Sequence, residues 1–301
     1  MNPARTFWLS QALLVTFLWS ASKIIMKLGL GLVSPLVMAA GIQTVAFIGL
    51  AVYYWWRHSK IDLRLSRQQI QALVVSGIGG FVVAPLFSVI GLKYVSGTTA
   101  GLLAGLNVIL VMVLGNIILR ERPQYRQIMG ALLAVVGVYV FLSDGAVGGT
   151  AFGILMLLLA ELGYALDTVL SRFVMRQPGD AAMATTLIES GIGVVVLLPI
   201  GLLSGGNWGA LGQWQVLLSI VVVGLIFGFA GMMWNSILDK LQAMEAAILQ
   251  NTMLIQIAVL SVIFLGERPT LHNVLGGIGV LIGAYLVDYQ VKTFVANAST
   301  A

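Results

Sequence analysis

Apolar residues in this chain come in long unbroken runs separated by short polar punctuation. Neither the two-residue alternation of a half-buried strand nor the narrow stripe of a water-facing helix describes them. A helix needs about 20 apolar residues to cross the hydrocarbon core of a bilayer. Ten segments have that length and character: 7–29, 34–56, 69–91, 97–119, 124–143, 151–173, 182–203, 214–236, 242–265 and 271–289. The punctuation suits helices. Pro35, Pro123 and Pro269 stand at or near helix starts, where a missing N–H is no loss. Ser66 and Gln69 have the spacing of a capping box for the third segment. The pattern predicts an all-α integral membrane protein of ten transmembrane helices.

Composition agrees. Of 301 residues, 59% are hydrophobic and 9% charged, against about 25% charged in a soluble domain. Such a chain cannot cover a water-facing surface, so lipid is its solvent. The first run, Phe7 to Leu28, is too long for the core of a signal peptide and lacks a clear small-residue cleavage site. It is expected to be the first span. Cysteine is absent, which excludes disulfides and thiolate metal sites. No cofactor or metal is expected. The net charge of +5 is spread over loops, without the basic stripe interleaved with aromatics that nucleic acid requires.

Those loop charges set orientation. With an even number of spans both termini share one side. That side collects Arg5, Arg57, Lys60, Arg64, Arg67, Arg120, Arg122, Arg126, Arg172, Arg176, Lys240 and Lys292. Lys23, Lys27, Lys93 and Arg268 are left for the rest. The asymmetry predicts cytoplasmic termini in a cell membrane, the bacterial inner membrane. Trp55, Trp56, Trp208 and Trp214 stand at span ends, as interfacial anchors do.

A small charged word is repeated. Glu121-Arg122-Pro123 returns 146 residues later as Glu267-Arg268-Pro269. Aligning the two brings Leu119 onto Leu265, Gly130 onto Gly276, Gly137 onto Gly283, Tyr139 onto Tyr285, Phe81 onto Phe227 and Ala84 onto Ala230. With a one-residue change of offset, Trp19 to Lys27 lies on Tyr164 to Arg172. The chain is therefore two similar halves, 1–146 and 147–301, of five spans each. Five is odd, so the second half is expected to run upside down relative to the first. Inverted repeats are a signature of secondary transporters, with substrate sites near the midplane between the repeats. A duplicated bundle without transport is the plainer alternative, and a structural turn is the plainer reading of the Glu-Arg-Pro word itself.

The stretches LRERPQYRQIMGALLAVVGVYVFL and LGERPTLHNVLGGIGVLIGAYLV resemble the ends of EamA repeats, of the drug/metabolite transporter superfamily. The start FLWSASKIIMK is similar to the family's first helix. The resemblance covers nearly the whole chain and is greatest to YddG-type exporters of aromatic and other amino acids. It implies that the first, third, fourth, sixth, eighth and ninth helices surround a central cavity, with the fifth and tenth peripheral. One departure stands out. Many EamA repeats carry a proline inside the fourth and ninth helices, whereas this chain has Asn107 and Met253 near those positions.

Charged groups at span centres are costly and are expected to face a cavity or a partner. Glu161, Asp167 and Glu189 are the membrane acids, and so the candidates for coupling to protons. Asp167 is expected to face the cavity. Lys23 either helps hold a substrate carboxylate, or snorkels, or pairs with an acid such as Asp167. The candidate cavity wall comprises Trp19, Ser22, Lys23, Phe81, Ser88, Thr98, Asn107, Tyr164, Asp167, Phe227, Trp234 and Gln250. Other polar groups in the spans, among them Thr168, Asn235, Asn251 and Gln256, serve equally well as glue between helices. Pro85, mid-span in the third helix, predicts a kink, and its repeat equivalent Gly231 is flexible. Together they make a candidate hinge.

Aromatic walls, many neutral polar groups and few fixed charges predict a secondary carrier of small metabolites, most of all amino acids, and the resemblance to EamA exporters implies that the direction is export. Export of hydrophobic drugs or toxic analogues is the near alternative. Sugar-phosphate or nucleotide-sugar transport would call for more buried Lys or Arg. Both histidines lie in loops, and no nucleophile elbow or metal-protease motif is present, so an enzyme is not expected. The expected partners are a small-molecule substrate and the lipid bilayer, with the protein a monomer or homodimer.

Overall fold

The computed structural model describes residues 3–57, 66–121, 123–142, 149–175, 182–241, 246, 249–250 and 252–298. Lys60, Arg64, Arg122, Arg176 and Asn251 lie outside the described residues, as do the side chains of Arg5, Arg126, Tyr285 and Lys292. Among the described residues the protein is all helical. Its single strand-like feature is an isolated bridge between Val95 and Gly149.

The helices follow the apolar runs: α1 (Pro3–Gly29), α2 (Pro35–Trp56), α3 (Arg67–Tyr94), α4 (Gly97–Leu119), α5 (Tyr125–Leu142), α6 (Ala151–Met175), α7 (Ala182–Leu203), α8 (Trp214–Lys240), α9 (Thr252–Leu265) and α10 (Leu271–Ala298). Seven of them, α1 to α4 and α6 to α8, are long and apolar enough to cross a membrane. Three shorter apolar stretches lie in α5, α9 and α10. The starts are capped as their sequences suggest. Ser34 precedes Pro35 at the head of α2, and Ser66 and Gln69 form a full capping box at the head of α3. Trp55, Trp56 and Trp214 are exposed. Trp208 differs: its indole N–H donates to the Gly201 carbonyl at 3.1 Å and ties the α7–α8 link to the end of α7.

Two helices are irregular in mid-course. In α3 the turn widens to a π-helix over Gly79–Val83, immediately before Pro85. Proline has no N–H to donate and its ring crowds the preceding turn, so a wider turn there relieves both problems. In α4 the helix is interrupted at Gly105 and Leu106 and resumes at Asn107.

Packing respects the repeat. Helix α1 packs on α8 and α9, and the corresponding α6 packs on α3 and α4. The α3–α7 contact likewise matches α2–α8. Helices α5 and α10 pack chiefly on each other. A Cβ on Gly137 would meet the Gly276 carbonyl oxygen at 2.7 Å, and one on Gly283 would meet the Gly130 oxygen at 2.5 Å. Position 130 thus lies beside 283 and 137 beside 276, so α5 and α10 run antiparallel.

The Glu-Arg-Pro words end helices in the same way. Arg120 (φ 56°) and Gly266 (φ 66°), equivalent in the repeat, are both left-handed. The amide of Glu121 then reaches the Gly115 oxygen at 3.3 Å, and that of Glu267 reaches the Ser261 oxygen at 3.3 Å. These bonds satisfy carbonyls that a helix end leaves orphaned. Glu267 adds a longer-range role. Its carboxylate accepts from Gly97 N at 2.7 Å, Thr98 N at 2.9 Å and the Thr98 hydroxyl. It thereby caps α4, a helix of the other half.

Candidate functional site

A cavity opens among α1, α3, α4, α6, α8 and the start of α9, and no described residue of α5 or α10 lines it. It encloses about 70 Å³, or about 800 Å³ when the space of its open mouth is counted. The wall comprises Trp19, Lys23, Gly80, Phe81, Ala104, Asn107, Glu161, Tyr164, Asp167, Thr168, Phe227, Gly231, Trp234, Asn235, Gln250 and Met253.

Much of that wall is built in equivalent pairs. Phe81 and Phe227, Ala104 and Gln250, and Asn107 and Met253 are each 146 residues apart. Trp19 and Tyr164, and Lys23 and Thr168, follow the shifted offset. The cavity therefore lies on the relation that exchanges the halves. Aromatic rings make its apolar part. Trp19 packs on Trp234 with ring centroids 5.1 Å apart and planes tilted by 59°.

The polar groups form two clusters. In the first, Lys23 Nζ lies 3.2 Å from Glu161 Oε1, and Asn107 Nδ2 donates to Glu161 Oε2 at 3.2 Å and to the Glu161 carbonyl at 3.0 Å. All three residues are buried. The partner of Lys23 is thus Glu161, and not Asp167. Burial of such a pair is tolerable only because each charge is compensated. Lys27, one turn away, donates to the Leu92 and Val95 carbonyls and closes the end of α3.

In the second cluster, Ser76 Oγ lies 2.6 Å from Asp167 Oδ1 and 2.6 Å from Glu189 Oε1. Ser171 Oγ lies 3.0 Å from Ser76, 2.9 Å from Glu189 Oε1 and 3.2 Å from Asp167 Oδ1. Asn235 Nδ2 donates to Thr186 Oγ1 at 2.9 Å and to Glu189 Oε2 at 3.4 Å. Of the two acids, Asp167 lines the cavity and Glu189 sits behind it, fully buried. Gly80 makes room for Asp167, since a Cβ there would fall 2.5 Å from its Cγ.

Three expected wall residues are elsewhere. Ser22 bonds to the Leu18 carbonyl of its own helix and does not line the cavity. Thr98 is occupied by Glu267 at the head of α4. Ser88 is buried but off the wall. Gly231, the other half of the candidate hinge, lies within α8, which is one continuous helix through it. Its missing side chain leaves space beside Thr186 and the Phe81 ring. Gly80, Ala104, Thr168, Asn235 and Met253 join the wall. Repeat equivalence points to three of these, as partners of Gln250, Lys23 and Asn107. Gln256 serves as glue, bonding Ser20 of α1 at 2.9 Å.

The model of the EamA-like transporter family matches residues 6–143 and 151–288. The chain belongs to this family. It is a multi-pass membrane transporter built of two EamA repeats, with a small molecule as substrate. A transporter from Archaeoglobus fulgidus is 28% identical over 93% of this chain and 98% of its own length. A protein of Salmonella typhimurium named a probable amino-acid metabolite efflux pump is 22% identical over 91% of this chain and 92% of its own. A solved crystal structure superposes with a TM-score of 0.69 at 19% identity, over 98% of this chain and 99% of that one. That likeness speaks for the fold of this EamA transporter alone.

Proposed function

We propose that the protein is a ten-span carrier of two inverted halves, 1–146 and 147–301, that exports amino acids, including aromatic and apolar ones, by alternating access. The observation that carries this reading is the cavity wall, built from pairs of equivalent residues drawn from both halves. A site on the exchange relation can face either side when the halves rock against each other. The antiparallel crossing of α5 and α10, themselves equivalent, supports the inverted arrangement. The excess of Lys and Arg in the loops beside the termini supports cytoplasmic termini in the bacterial inner membrane.

Substrate chemistry follows from the wall. Trp19, Phe81, Phe227 and Trp234 offer an apolar surface, while Lys23, Asn107, Glu161 and Asp167 offer both signs of charge and hydrogen bonds. A small zwitterion with an apolar side chain matches both. Amino acids are the substrates that the resemblance to YddG-type exporters implies, and the Salmonella relative is named for efflux of amino-acid metabolites. Hydrophobic drugs would use the rings and leave the charged groups idle. A panel of labelled amino acids offered to the purified protein in liposomes tests the reading. Saturable uptake with counterflow is the expected result, and no flux of any amino acid would reject it.

A further inference from the structure

Protons are too few in the buried cluster behind the cavity. A serine hydroxyl donates once, and an ionised carboxylate only accepts. Yet Ser76 Oγ makes two approaches of 2.6 Å, to Asp167 Oδ1 and to Glu189 Oε1. Ser76 can donate along only one of them. The other needs a carboxyl group that donates into Ser76. Ser171, with contacts to Ser76 and to both acids, has one proton for three neighbours. Two ionised carboxylates would leave short oxygen–oxygen contacts without a hydrogen between them.

Among the described residues, no hydrogen bond or ion pair given for either acid comes from a positive charge. From α3, α7 and α8 the groups facing the pair are the neutral Ser76, Thr186 and Asn235. Within α6, Glu161 is committed to Lys23, and Arg172 donates to the Leu238 and Asp239 carbonyls at the end of α8. Tyr164 lines the cavity beside Asp167. Like charges this close in a buried site do not both ionise.

The cavity face of Asp167 is different. Among the described residues, the hydrogen bonds given for it fall on Oδ1. On the same wall Gln250 Oε1 lacks a partner among the described residues, and so do two polar atoms of more deeply buried residues, Trp234 Nε1 and Asn107 Oδ1. Those two residues are each 97% or more buried, with exposures of 3%. A donor and an acceptor buried without partners cost stability unless a ligand meets them.

We propose that Asp167 and Glu189 hold one proton between them in the empty carrier, and that a substrate ammonium group docking on Asp167 Oδ2 releases it. The inference rests on the carrier reading above and adds how its substrate is coupled. The balance is simple. Before binding, the two carboxyl groups and one proton carry one negative charge. Afterwards two carboxylates and one ammonium carry the same. The proton leaves through the cavity from Asp167, with Ser76 and Ser171 relaying it from Glu189. Substrate and proton therefore exclude each other, which makes the carrier an exchanger.

The test uses purified protein in weakly buffered detergent at neutral pH, with a pH-indicator dye and calorimetry as separate readouts. The probes are L-phenylalanine, phenethylamine and 3-phenylpropionate. Wild type should release one proton for each L-phenylalanine or phenethylamine bound. Glu189→Gln, which keeps hydrogen bonding but cannot share a proton, should bind L-phenylalanine without release. Asp167→Asn should lose affinity for both ammonium-bearing probes by at least tenfold. If that variant fails to fold, wild type and Glu189→Gln decide. Binding of either amine without release in wild type overturns the inference, as does release on binding 3-phenylpropionate. Phenethylamine binding with release, while L-phenylalanine does not bind, overturns the amino-acid reading and upholds the exchange. If none of the three binds, both readings fall.

Discussion

Gly137 of α5 lies against the backbone of Gly276 in α10, and their repeat partners Gly283 and Gly130 make the matching contact. The two helices run antiparallel, as the proposed inverted repeat requires of an equivalent pair. Single cysteines can report this cleanly in a chain that has none. Cysteines at Gln124 and Thr270 should react with an impermeant thiol reagent from opposite sides of the membrane. Reaction from the same side would rule out the inverted arrangement. Gly137→Ala should lower stability by about 1–3 kcal/mol, the usual cost of overpacking, read as earlier thermal unfolding in detergent.

The two helix stops should respond oppositely to substitution. Arg120 holds a left-handed conformation that favours glycine, at a cost of roughly 1 kcal/mol for other residues. Arg120→Gly should therefore stabilise the protein or leave it unchanged. Gly266→Ala, at the equivalent left-handed position, should destabilise it by a similar amount. Comparable unfolding temperatures for both variants would show that the stops do not depend on backbone conformation.

Glu267 binds three donors at the head of α4, two of them backbone amides that have no intrahelical partner. Glu267→Ala should cost about 1–3 kcal/mol, as expected when partly buried donors lose their acceptor. Glu267→Gln keeps one acceptor oxygen and should fall between. Equal stability of both variants and wild type would remove this cap from the account.

The bundle was legible in the sequence because lipid leaves a chain few options: each backbone group must be satisfied within its own helix. Repeat equivalence carried the cavity further, pairing Phe81 with Phe227 and Trp19 with Tyr164, and all four line it. Rotations and caps were harder to read. Nothing in the spacing of α6 says whether Lys23 meets Glu161 or Asp167, since the choice depends on how α1 turns against it. Thr98 reads as a wall residue until Glu267, 169 residues away, is seen to occupy it. The π-helix of α3 was foreshadowed by Pro85 only as a kink.

The Lys23–Glu161 pair makes a double-substitution test. Removing one partner of a buried ion pair leaves an uncompensated charge and typically costs 3–5 kcal/mol. Lys23→Met and Glu161→Gln should each lower the unfolding temperature sharply. The combined variant should recover part of the loss, because neither charge then remains buried. An additive loss in the double variant would mean that the two residues act independently, against the 3.2 Å contact.

Trp19 and Phe227 stand on walls supplied by different halves, with Trp19 further braced by Trp234. If these rings cover the side chain of a bound amino acid, their removal should matter in proportion to that side chain's size. Burying an aromatic side chain gains roughly 1.5–3 kcal/mol, and 1.4 kcal/mol is about a factor of ten in affinity. Trp19→Ala or Phe227→Ala should therefore raise the half-saturation concentration for tryptophan about tenfold or more, while that for alanine changes little. The comparison holds only for variants that express and unfold like wild type, since both rings also pack on core neighbours. Equal losses for the small and the large substrate would assign these rings to holding the helices apart, and would move the apolar subsite to Phe81 and Tyr164.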